Sequence, residues 1–181
     1  MKKIAILLFA LLAGILVGIQ NTYAQKIFSD TKDPFTNVRT ISSTLDPLYK
    51  VGFTSILQVQ TSITILNDSI SSYTLSFLVP GVSYQTDKVD SSLKNICLLK
   101  DETGNIYTGN VISSVSTNVL ETPYDLYGCV FKDEDFAKLI LAKVSDIKIT
   151  TTFGKGGLFQ IDKKRQDVIG KQIKVILKFI K

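Results

Sequence analysis

The chain has 181 residues, a net charge of +5, two cysteines and no histidine. The missing imidazole excludes Ser-His-Asp and Cys-His nucleophile systems, ordinary zinc sites and histidine acid–base work. The length suits a short leader followed by one domain, large enough to bury a core without metal or disulfide staples.

Lys2 and Lys3 precede an apolar run over residues 4–19, and a short polar segment then leads to Tyr23-Ala24. A charged start, an apolar middle and small residues at Thr22 and Ala24 predict a signal peptide over residues 1–24, cleaved between Ala24 and Gln25. The run is shorter than the roughly 20 residues of a membrane span, and Gly14 and Gly18 interrupt it. No cysteine stands near the boundary, which excludes a lipoprotein anchor. The expectation is a bacterial protein exported to the periplasm or cell surface, with a single domain over residues 25–181.

Residues 25–46 are polar and punctuated by Asp33-Pro34 and Asp46-Pro47, so the β-like run 36–43 reads as an edge strand. Residues 53–66 alternate apolar on odd positions with polar on even ones, the pattern of a strand with one buried face. Asn67-Asp68-Ser69 supplies a turn, and residues 70–79 repeat the alternation, predicting an antiparallel hairpin. After a polar connection at 82–94 come strands at 95–100, 106–120 and 124–131. Asp101 to Asn105 is a tight turn with Gly104 in the left-handed position.

At Asp133 the apolar period lengthens. Asp133 is placed to cap a helix, with Glu134 and Asp135 at its positive end and Phe136, Leu139 and Ile140 on one face, running to about residue 142. Strands follow at 144–153 and 158–161, joined by Gly154-Lys155-Gly156-Gly157. Asp162 caps a closing helix with a wide apolar arc opposite a lysine face. Gly170 in that helix costs about 1 kcal/mol and signals close approach to a strand. Strands first and helices last predict an α+β fold: a curved antiparallel β-sheet packed by a short helix and a long C-terminal helix. A β-sandwich with a C-terminal helix is the alternative.

Charge is uneven along the chain. Residues 163–181 hold seven basic residues against one acid, Asp167. Lys164, Lys171, Lys174 and Lys178 are therefore candidate binding residues for an anionic membrane surface or lipopolysaccharide, although lysines also simply wet a helix face. No nucleic-acid partner is expected, because the basic face lacks interleaved aromatic residues. Cys97 and Cys129 fall in predicted strands of a protein bound for an oxidising compartment. A disulfide across adjacent strands and two free buried thiols both remain open.

Other chemistry finds little support. Gly154-Lys155-Gly156-Gly157 lacks the P-loop order and is followed by a strand, so it reads as a turn. Asp133-Glu134-Asp135 lacks calcium-loop spacing. Glu102, Glu121 and Glu134 each have a local structural explanation, which leaves a glycan hydrolase with paired carboxylates as a remote reading. No metal or cofactor is expected. Tyr84, Tyr107, Tyr124 and Tyr127 read as packing residues with a wet hydroxyl.

The segments Asp33-Pro34-Phe35-Thr36, Leu98-Leu99-Lys100-Asp101 with Gly104, and 131–136 followed by 144–149 resemble small exported domains of unassigned role in envelope proteins of Bacteroidetes-type bacteria. The resemblance implies an α+β fold and export, and it carries no catalytic residues. The functional expectation is an exported, non-enzymatic binding or accessory domain whose partner is an unidentified envelope protein or polymer.

Overall fold

The alternation read at residues 53–66 and 70–79 builds the central hairpin of the sheet, β4 (Thr54–Leu66) and β5 (Ser69–Pro80). In the computed structural model, residues 26–51, 54–80, 95–119, 122–151 and 156–180 are described. The expected leader, the 82–94 connection, Tyr84 and Glu121 lie outside them. Asn67 and Asp68 turn the hairpin with φ of 50° and 62°. Two successive left-handed residues match the right-handed twist of the flanking strands, and Asn and Asp tolerate that conformation better than other side chains.

Around this hairpin stand β1 (Ile27–Lys32), β2 (Val38–Ser43), β3 (Asp46–Val51), β6 (Ile96–Asp101), β7 (Ile106–Val119), β8 (Thr122–Phe131), β9 (Val144–Thr150) and β10 (Gly157–Gln160). They join one antiparallel sheet in the order β1-β2-β4-β5-β8-β7-β6-β9-β10, with β3 beside β4. The described strands thus form one open sheet, not the two sheets of a sandwich. Among the described residues, two α-helices complete the α+β fold: α1 (Asp133–Leu139) and α2 (Val168–Ile180).

The run expected at the edge is interior. β2 lies between β1 and β4, and the outer place goes to residues 27–32, whose mixed polarity hid a strand exposed along most of its length. β2 and β3 share the same side of β4. β2 pairs with positions 62–66 and β3 with positions 54–59. Pro47 fits in β3 because β3 has only one strand neighbour, so no second ladder needs its missing N–H.

Between β2 and β3 the chain leaves the ladder at Thr44 and Leu45, and α2 supplies what the ladder lacks there. Gln172 is fully buried. Its Nε2 lies 2.7 Å from Asp46 Oδ2, 3.0 Å from the Thr44 carbonyl and 3.1 Å from the Val59 carbonyl. Its Oε1 accepts the Thr61 hydroxyl at 2.8 Å. Ser43 Oγ accepts the Thr61 N–H at 3.0 Å. Around this polar plug, Val168, Ile169, Ile173 and Ile176 are buried in the core with Ile41, Val59 and Ile63. Burial of each such side chain is worth about 1.5–3 kcal/mol before entropy is counted.

Helix entry differs from the sequence expectation. Asp162 caps a single 3-10 turn at Lys163–Arg165, accepting from the Lys164 N–H at 3.1 Å, and α2 starts later. Backbone bonds hold this entry: Asp162 N–H donates to Leu48 O, Ile161 N–H to Ser145 O and Val144 N–H to Gln166 O. For α1, Lys132 occupies the cap without a side-chain bond, and Asp133 is the first helical residue. The three acids still face the positive end of the helix. Gly170 permits a close approach to α1 and not to a strand: a Cβ there would meet Ile140 O at 2.6 Å and Leu139 O at 3.0 Å.

Gln172→Leu keeps the helix face apolar but strands two carbonyls, a hydroxyl and a carboxylate in the core. Urea denaturation should show a loss of about 3 kcal/mol. Gly170→Ala should cost about 1–3 kcal/mol by overpacking against backbone. Retention of the wild-type midpoint in either variant would refute this account of how α2 is seated.

Candidate functional site

The 3.6-residue period of α2 puts Lys171, Lys174 and Lys178 on one outward stripe, and all three are exposed. Lys171 Nζ pairs with Asp167 Oδ2 at 2.8 Å. Lys174 and Lys178 have no acidic partner among the described residues. Lys178 sits in the last turn, where the helix dipole favours a cation. Lys164 is also exposed but belongs to the 3-10 turn, off the helical stripe. Thus the structure gathers three of the four sequence candidates on one helix. Beside them Phe179, counted in the apolar arc by its period, is 48% exposed.

The most elaborate polar cluster is the β6–β7 turn. Asp101 Oδ1 accepts the Thr103 N–H at 2.9 Å, the Thr103 hydroxyl at 2.7 Å and the Asn105 N–H at 2.9 Å. Oδ2 accepts Asn105 Nδ2 at 3.0 Å and the Tyr107 hydroxyl at 2.8 Å. Gly104 has φ of 90°, as the turn reading required. Burial opposes ionisation of Asp101, yet the bonds from Thr103, Tyr107 and Asn105 prevail and hold its carboxyl well below the usual carboxylate range. Burial, reinforced by the hydrogen bond to Asp101, pushes the Tyr107 phenol up to about 12. A carboxylate with five donors, ionised throughout the neutral range, organises a turn and makes a poor general acid or base. The Asp-Glu-Thr-Gly-Asn sequence signalled the turn but not the reach of Tyr107.

The described glutamates stand on separate elements. Glu102 pairs with Lys143 Nζ at 3.1 Å, and Glu134 is an exposed residue in the first turn of α1. Among the described residues, no three His, Cys, Asp or Glu side chains gather as a metal site. No described helix is long and apolar enough to cross a membrane. Tyr107, Tyr124 and Tyr127 are buried.

Cys97 on β6 and Cys129 on β8 are free and fully buried. Their strands are not adjacent, because β7 runs between them. The two side chains nevertheless lie near each other across β7, with the Cys129 thiol in hydrogen-bond reach of Cys97. Burial, with the neighbouring Cys129 thiol adding to it, pushes the Cys97 thiol well up, so it stays protonated and unreactive.

With this geometry in hand, comparison with known proteins adds no relative: no family model, curated protein or solved structure matches the chain.

Two outcomes follow from these environments. The Asp101 carboxyl is lowered on folding, so its stabilisation is complete above the unfolded value near pH 4 and drains away as pH falls below it. Asp101→Asn should therefore lower stability at pH 7 and flatten the acid limb of a stability–pH curve between about pH 4 and pH 2. Iodoacetamide should leave both thiols unlabelled in the folded protein and label both in guanidinium, as read by intact mass.

Proposed function

We propose that this protein is an exported, non-enzymatic binding domain of the bacterial cell envelope, acting through contact of the outward stripe of α2 with an anionic partner. One observation carries the reading: Lys171, Lys174 and Lys178 face solvent on a helix whose opposite side is locked into the sheet by Gln172, Ile169, Ile173 and Ile176. A stripe of cations with a fixed direction presents its charge without first ordering a loop. The leader-like pattern at residues 1–24 and the resemblance to small envelope domains support export. For an exported protein the accessible anions are lipid headgroups, lipopolysaccharide and acidic polymers.

Peripheral lipid contact is the form of this reading that half-exposed Phe179 favours, since an aromatic ring beside Lys178 suits a membrane interface. A lysine near an anionic surface contributes about 1 kcal/mol. The triple variant K171Q/K174Q/K178Q should therefore bind phosphatidylglycerol vesicles roughly 100-fold more weakly than wild type at low salt. Co-sedimentation measures it. Equal binding of the two proteins, or binding indifferent to salt, would defeat the proposal.

A further inference from the structure

At the C-terminal end of α2 lies a cavity of about 360 Å³ lined by Lys32, Asn37, Arg39, Ile65, Asp68 and Ile180. That volume falls in the roughly 300–1,000 Å³ range of small-molecule sites. Pairing sets its walls. Lys32 of β1 is opposite Arg39 of β2, and Arg39 is opposite Ile65 of β4. Directly paired residues share a face, so two cations and an apolar side chain form one row across three strands. Ile65 is 7% exposed, and Ile180, the last residue of α2, is half-buried on the opposite wall.

The charges are arranged by sign. Arg39 is fixed by a two-pronged pair with Asp30, Nε to Oδ1 at 2.8 Å and Nη2 to Oδ2 at 2.7 Å. Lys32, beside it, has no acidic partner among the described residues. The other side holds Asp68, in the β4–β5 turn and unpaired by any described base. With Arg39 compensated by Asp30, the lining carries one uncompensated cation, Lys32, and one uncompensated anion, Asp68, beside apolar Ile65 and Ile180.

We propose that it binds a small amphiphilic zwitterion, an α-amino acid or dipeptide with an apolar side chain. The carboxylate lies toward Lys32, the ammonium toward Asp68, and the side chain on Ile65 and Ile180. A simple anion would leave Asp68 opposed to it, and a simple cation would oppose Lys32. This site goes beyond the envelope-contact reading, since it uses none of the lysines of the α2 stripe, and either can stand without the other.

The test is amide-resolved NMR of isotope-labelled protein titrated with L-leucine, L-alanyl-L-leucine, N-acetyl-L-leucine and L-leucinamide. Leucine or its dipeptide should shift the signals of Asn37, Ile65 and Asp68, and the tighter of the two identifies the ligand size. The N-acetyl and amide derivatives, each lacking one charge, should bind at least about tenfold more weakly, equivalent to 1.4 kcal/mol. Lys32→Gln and Asp68→Asn should each produce a similar loss. Both positions are exposed, and Asn tolerates the left-handed backbone at position 68, so unperturbed spectra outside the cavity will confirm folding. No shift from either zwitterion at about 10 mM, weaker than the millimolar range of small-ligand affinity, would overturn the proposal. So would blocked derivatives that bind as tightly as the zwitterions, since the two charges of the ligand would then play no part in binding.

Discussion

The side chain of Gln172 sits where β2 gives way to β3, and the arrangement of α2 depends on it. A strand that breaks inside a protein exposes carbonyls and a hydroxyl that water cannot reach, and each would cost on the order of 1–3 kcal/mol if left unpaired. Gln172 answers them with one amide, joining Thr44, Asp46, Val59 and Thr61 to the helix. Apolar packing alone tolerates some rotation and sliding of a helix on a sheet. A buried amide with partners on both oxygen and nitrogen fixes both.

Once α2 is fixed in rotation, its two ends acquire their roles. At the start, Gly170 rests against the last carbonyls of α1, while the 3-10 turn before it is sewn to β3 and β9 by backbone bonds. Tyr73 stacks on Phe136 of α1 at 4.3 Å between ring centroids, which ties that helix in turn to β5. The Asp101 turn joins the same region, because Glu102 N–H donates to Lys143 O in the link between α1 and β9. At the far end Ile180 lines one cavity with the row of Lys32, Arg39 and Ile65.

A division of labour follows from this construction. The buried carboxylates, Asp46 and Asp101, are bound up in holding a strand break and a turn. The exposed chemistry is charge: a lysine stripe along α2 and an ordered set of opposite charges around a cavity at its end. Both surfaces suit recognition, and both owe their direction to the seating of one helix.

Local periodicity and turn chemistry by themselves determined the β4–β5 hairpin, the turn at Asn67-Asp68, the left-handed Gly104, the amphipathic α1 and α2, and the α+β succession, because both act over a few residues. The lysine stripe was legible for the same reason. Order among the strands was not: a reading along the chain made residues 36–43 an edge and left open whether the two cysteines share adjacent strands, whereas pairing put β1 outside β2 and β7 between β6 and β8. Gly170 announced a close approach but could not say that helix carbonyls were the partner. Gln172 was one polar residue in an apolar arc, and the cavity draws its six residues from three separate stretches of chain. Such features exist only when distant segments meet, so the tertiary structure alone decided them.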